Sequence, residues 1–111
     1  MTQYETVWTF KTDRFTIECA VAPETIPPED CFEFDEDINA IRNGSCEWFI
    51  VRMRVLMDHQ FEIGADYLGG CAYYHPDDFL RDSYFYDMVR FAISEARNYL
   101  RKYPLPYQRA A

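Results

Sequence analysis

The clearest alternation of apolar and polar positions lies between Cys46 and Met57, where Phe49, Val51, Met53, Val55 and Met57 share one face and Trp48, Ile50, Arg52, Arg54 and Leu56 share the other. A period of two over that length predicts a β-strand with one face in a core and one mixed face. After a turn at Asp58-His59-Gln60, the segment from Phe61 to Leu68 alternates in the same way, which predicts an antiparallel partner and a hairpin. Near the start, Glu5 to Lys11 is aromatic and β-branched, and Thr12-Asp13 supplies turn chemistry. Phe15, Ile17, Cys19 and Val21 then alternate with Thr16, Glu18 and Ala20, predicting a first hairpin whose second strand turns its odd-numbered positions inward. Leu68-Gly69-Gly70-Cys71 predicts the end of the last strand or a kink in it, because paired glycines relax the backbone.

At Ser83 the period changes. Phe85, Met88, Val89, Ala92, Ile93, Ala96 and Leu100 recur at steps of three and four residues, predicting a helix from an N-cap at Ser83 to Arg101, stopped by Pro104. Ala92 and Ala96 are small enough to let that helix lie close on a sheet. Between the hairpins, 35–43 opens with acids, has Ile38 and Ile41 three apart and ends on Arg42 with Gly44 just beyond. This predicts a short acidic helix with a glycine C-cap, in which Asp35 or Asp37 is the N-cap or sits in the first turn. Pro23, Pro27 and Pro28 predict a loop over 22–34. His75-Pro76-Asp77-Asp78-Phe79 predicts a turn that opens a short helical segment leading to the last helix. The tail from Tyr103 to Tyr107 is too short to fold separately and is expected to pack along an edge or stay loose.

The elements sum to a single α+β domain over 1–111: two β-hairpins forming an antiparallel sheet packed on a long C-terminal helix, with a short acidic helix between the hairpins. The second face of the sheet is expected to carry Trp8 or its neighbours, Trp48, Ile50 and charged residues. A chain of 111 residues that is 49% hydrophobic and 18% aromatic has enough apolar material for such a core and is far from a disordered acidic tail.

Charge changes the picture more than composition does. Between Phe15 and Ile41 there are eight carboxylates, Glu18, Glu24, Glu29, Asp30, Glu33, Asp35, Glu36 and Asp37, and no Lys or Arg. The charge is uneven along the chain: 18 acids against 6 bases from Met1 to Val89, then 1 acid against 5 bases from Arg90 onward. Arg97, Arg101 and Lys102 fall where positive charge complements the end of the last helix. A net charge of −8 argues against a broad basic surface, and so against direct nucleic-acid binding, and favours a cationic protein partner.

Catalytic patterns are absent. There is no GxSxG, the glycines lack the companions of a phosphate-binding loop, and the one close Cys–His pair, Cys71 with His75, has a four-residue spacing that does not imply the geometry of a thiol protease. Cys19, Cys31, Cys46 and Cys71 are separated by 12, 15 and 25 residues, which matches no paired-ligand motif; structural thiols are expected, ahead of zinc or a disulfide. Asp66 and the Asp77-Asp78 pair have oxygen donors for a divalent cation but not the order of a calcium loop, so surface acids explain them. No catalytic residue, cofactor or metal is therefore assigned. The N-terminus lacks the basic and apolar regions of a signal peptide and no stretch is long and apolar enough for a membrane span, so a cytoplasmic location without membrane contact is expected.

The segment Gly64-Ala65-Asp66-Tyr67-Leu68-Gly69-Gly70-Cys71-Ala72-Tyr73, followed by Tyr84-Phe85-Tyr86-Asp87-Met88-Val89-Arg90 and by Ala92-Ile93-Ser94-Glu95-Ala96-Arg97, resembles a pattern in small uncharacterised proteins of bacteriophages and mobile elements. The resemblance covers roughly the C-terminal half. It implies a phage setting, where small acidic proteins without active-site motifs are similar to anti-CRISPR and other host-takeover inhibitors, which bind a host complex and block it. In the host cytoplasm such a chain is expected to engage a basic, nucleic-acid-binding surface of a host protein or ribonucleoprotein complex, by partial DNA mimicry or plain charge complementarity. Glu29, Asp30, Glu33, Asp35, Glu36 and Asp37 are the candidate partner-binding residues, with Trp48 on the open sheet face. The alternative is a structural or accessory protein that homodimerises through that face.

Overall fold

The computed structural model describes residues 3–104. Its strands are β1 (Glu5–Lys11), β2 (Phe15–Pro23), β3 (Glu47–Met57) and β4 (Phe61–Tyr73), and its helices are α1 (Asp35–Arg42) and α2 (Ser83–Lys102). A short 3-10 turn precedes each helix, Pro28–Asp30 before α1 and Pro76–Arg81 before α2. The four strands form one sheet in the order β1-β2-β3-β4, every neighbouring pair antiparallel. This is the α+β architecture expected from the pattern: two hairpins, a long C-terminal helix on one face and a short helix between the hairpins.

The core forms between the inward face of the sheet and α2, which lies chiefly on β4 and β3. Cys19, Val21, Phe49, Val51, Met53 and Val55 are buried against Phe85, Met88, Ala92 and Ala96. Phe79, from the turn before α2, closes one end of this core, edge-on to both Tyr73 and Phe85. The odd-numbered face of β2 points inward, as its alternation predicts.

Two irregularities shape the strands, and the first departs from the pattern. Trp8 does not lie on the open face: its ring meets Phe85 edge-on with centroids 5.0 Å apart. The cause is a bulge in β1, where Thr6 is opposite Ala20 but Trp8 is opposite Cys19, so the extra residue moves Trp8 to the covered side. The second irregularity is at Gly69-Gly70, where the strand kinks rather than ends, the second of the two outcomes that the paired glycines predict. Pairing resumes beyond the glycines and continues to Tyr73 opposite Glu47, with the register shifting between Phe49 and Val51 and Gly70 at φ +66°. The helix start also differs by one residue, since the Asp82 carboxylate, rather than Ser83, accepts the Tyr84 N–H at 3.2 Å and caps α2. Ordinary turn geometry covers Gly44, whose φ of +83° follows the end of α1. Of the C-terminal tail, Leu105 to Tyr107 lie outside the described residues.

The tightest packing joins α2 to β4. Gly64 faces the helix, and a Cβ at that position would run into the Ala92 carbonyl oxygen and lie 2.7 Å from the Ala96 nitrogen. Both obstacles are backbone, so neither rotates away. Gly64→Ala is therefore expected to destabilise the fold by about 3 kcal/mol, the upper end of the usual overpacking cost, in urea unfolding followed by circular dichroism. A loss under about 0.5 kcal/mol would show that the helix does not lie this close.

Candidate functional site

The acid block divides into residues used inside the fold and residues left free. Glu18 belongs to the first group. The β2–β3 register sets it directly opposite Arg54, with Ala20 opposite Arg52. Its carboxylate, only 12% exposed, accepts from Arg54 Nε at 2.6 Å, Arg52 Nη2 at 3.0 Å and Thr6 Oγ1 at 3.0 Å. Arg54 also approaches Glu62 at 3.9 Å, and the Arg52 guanidinium stacks over the Tyr4 ring at 4.2 Å. Burial pushes the Glu18 carboxyl up, but the hydrogen bonds from Arg54, Thr6 and Arg52, with the Arg54 charge, outweigh it and leave the pKa below its ordinary value. The open face of the sheet is thus sealed by an ion cluster over buried Ala20 and Ala22.

Glu24, Glu29 and Trp48 fasten the loop that follows. Glu24 accepts the Gly70 N–H at 2.7 Å and the Thr25 N–H at 3.0 Å, tying the loop to the β4 bulge. The Trp48 indole donates to the Ile26 carbonyl at 2.8 Å, and its ring packs on Phe32 with centroids 5.7 Å apart. Glu29 receives Arg42 Nε at 2.7 Å and Nη2 at 2.6 Å, so the 3-10 turn is clipped to the end of α1. The hydrogen bonds from Arg42 hold the Glu29 carboxyl below its ordinary range.

Asp30, Glu33, Asp35, Glu36 and Asp37 are all exposed, and among the described residues no side chain pairs with them. Asp35, Glu36 and Asp37 form the first turn of α1, where negative charge suits the helix N-terminus; the N-cap position is Phe34, which has no side-chain hydrogen bond to give. Phe34 itself is 67% exposed in the middle of these acids. Of the seven residues expected at a partner surface, five stand free together, while Glu29 and the half-buried Trp48 hold their loop in place.

A cleft that the sequence does not announce opens beside α1. It encloses about 700 Å³ between α1, the bulged end of β4 and the start of α2. Asp37 lines it from α1, Asp78 from the turn before α2 and Asp82 from the α2 cap, and Phe32, Tyr74 and Tyr84 supply ring faces. Asp82 is held by the Tyr73 hydroxyl at 2.7 Å as well as by the Tyr84 N–H. The Tyr73 hydrogen bond lowers the Asp82 pKa, and burial followed by the Asp82 contact raises that of Tyr73. Asp37 and Asp78 lie 41 residues apart in the chain, so only the fold brings them to one cleft.

Three of the thiols, Cys19, Cys46 and Cys71, are poor nucleophiles. Burial, reinforced by nearby carboxylates, pushes Cys19 up to about 12 and Cys71 up to about 11, and Cys46 is raised for the same reasons. All four cysteines are free. Among the described residues no group of three or more His, Cys, Asp or Glu is arranged to hold a metal ion, and no helix is long and apolar enough to cross a membrane.

The Glu18 cluster sets an acid limit on stability. Because its folded pKa lies below the ordinary value of 4.5, its contribution is present above that value and is lost as pH falls through the folded pKa. Glu18→Gln is expected to cost about 2 kcal/mol at pH 7 and to flatten the decline in stability on acidification, as read from urea midpoints across the acid range. Trp48→Phe keeps the ring but removes the bond to Ile26; about 1 kcal/mol of stability and the slow amide exchange of the 24–32 loop are expected to be lost, measured by hydrogen–deuterium exchange. Compared with protein-family models, with curated proteins and with solved structures, the chain matches none.

Proposed function

We propose that this protein is a phage-type interaction protein, an anti-CRISPR-like inhibitor that covers a basic, nucleic-acid-binding surface of a host protein or ribonucleoprotein complex in the host cytoplasm. The observation that carries the proposal is the display of Asp30, Glu33, Asp35, Glu36 and Asp37, all exposed and unpaired among the described residues, on a loop and helix anchored through Glu24, Glu29 and Trp48. Free carboxylates at this density steer a cationic surface into encounter and penalise acidic competitors. Anchoring reduces the ordering cost of binding, because the strip is already shaped before the partner arrives. No cofactor, nucleic acid or chemical step is required.

Homodimerisation through the open sheet face is the weaker reading. That face holds the Glu18–Arg52–Arg54 cluster over its centre, which would have to be desolvated in a dimer, and Tyr67 is its main large exposed ring.

Capture of a partner from bacterial lysate, identified by mass spectrometry, is expected with the wild type at low salt, to fall at high salt, and to be displaced by DNA. A variant combining Glu33→Lys, Asp35→Lys, Glu36→Lys and Asp37→Lys is expected to lose that partner while the fold persists by circular dichroism, with a modest loss of thermal stability because three of the lysines enter the first turn of α1. Equal capture by both proteins, insensitive to salt, would remove the acidic strip from the interface.

A further inference from the structure

We propose that the cleft between α1 and the start of α2 is a receptor for an arginine side chain presented by the partner protein. The proposal deepens the acidic-interface reading and rests on it for the basic character of the partner; the cleft itself is a separate feature with its own residues.

Three properties of the cleft converge on a guanidinium. The first is charge: Asp37 of α1 and Asp78 of the turn before α2 both line it, both exposed and without an ion-pair partner among the described residues, and no described Lys, Arg or His lines it. The second is shape. The strand backbone at Gly69, Gly70 and Ala72 of β4 borders it, and the volume of about 700 Å³ admits a long side chain with its backbone. The third is aromatic surface. Tyr74 is 76% exposed and Tyr84 56% exposed, and with Phe32 they line the same space that the carboxylates border.

Arginine satisfies all three conditions together. Its planar guanidinium stacks on a ring face and presents parallel N–H groups to a carboxylate, whereas a lysine ammonium is a compact, strongly hydrated charge with no plane to stack. Asp82 contributes negative potential with less acceptor capacity to spare, because the Tyr73 hydroxyl, the Tyr84 N–H and the Ser83 hydroxyl already donate to its oxygens. The free acids of the strip would draw in the basic surface, and this cleft would anchor one side chain of it, so that orientation comes from the anchor and encounter rate from the strip.

The test uses the full chain and three blocked tripeptides, acetyl-Gly-Arg-Gly-amide and its lysine and citrulline counterparts, titrated by two-dimensional amide NMR. The arginine peptide is expected to give saturable shifts at Gly69, Gly70, Tyr74, Asp78 and Tyr84, with the lysine peptide at least threefold weaker and the citrulline peptide silent. Asp78→Asn is expected to weaken the arginine peptide about fivefold, and Tyr84→Leu about threefold, while Asp77→Asn, one residue outside the cleft, leaves it unchanged. Equal binding of arginine and lysine, or shifts confined to the acidic strip and indifferent to Asp78→Asn, would overturn the pocket. A combined Glu33→Lys, Asp35→Lys and Glu36→Lys variant separates the two proposals. If it captures the partner like wild type and still binds the arginine peptide, the acidic strip fails and the pocket stands. If the wild type ignores the peptide but loses its partner with this variant, the pocket fails and the strip stands.

Discussion

The close approach of α2 to β4 at Gly64 is the constraint on which the rest of the arrangement depends. A helix can run with its Ala92 and Ala96 backbone against a strand only where the strand has no Cβ to offer, and Gly64 provides that one place. Once α2 is seated there, its stripe of Phe85, Met88, Ala92 and Ala96 covers the inner faces of β3 and β4. Its first turn, capped by Asp82 and wedged by Phe79, is then carried to the end of the sheet that α1 occupies, and the aromatic cleft is the space left between them. At the far end of α2 the first hairpin is covered less completely, which leaves an apolar cavity of about 370 Å³ among Phe10, Phe15, Ile17, Ile93 and Leu100.

Carboxylates in one run of sequence serve two opposite purposes. Glu18 is stabilised inside a three-donor cluster, where losing its charge leaves Arg52 without a carboxylate among the described residues and Arg54 with only the longer contact to Glu62. Glu24 satisfies a backbone N–H exposed by a bulge, and Glu29 makes a two-pronged contact with Arg42 that is mostly solvent-exposed and correspondingly weak in energy, though it fixes direction. The remaining five are solvated and mutually repulsive, a cost that α1 relieves only through the partial positive charge of its N-terminus. A fold that retains such repulsion on an anchored surface gains solubility and attraction for cations from it.

Strands and helices were legible because their signals are local. Alternation over β3 and three-four periodicity over α2 survive in one dimension, and the hairpin turns follow from the residues between alternating runs. The errors came where one residue of backbone irregularity reverses a long-range consequence. The bulge before Trp8 sends its ring to the core rather than the open face. At Gly69-Gly70, where the glycines read as an end or a kink, the structure has the kink and β4 continues beyond it. At the head of α2 two adjacent residues had capping side chains, and the backbone direction after the Pro76–Arg81 turn selected Asp82.

By itself the sequence determined the α+β class, the inward residues of β2, β3 and α2, and a dense acidic segment, since each depends on spacing between neighbours along the chain. The tertiary structure alone decided which acids are consumed and which are free. That division depends on the β2–β3 register that sets Glu18 against Arg54, on the loop path that lets Glu24 reach Gly70, and on the return of Arg42 to Glu29. It also decided that Asp37 and Asp78 share a cleft with Tyr74 and Tyr84. Contacts between residues tens of positions apart are set by how elements pack, and no local pattern of side chains encodes them.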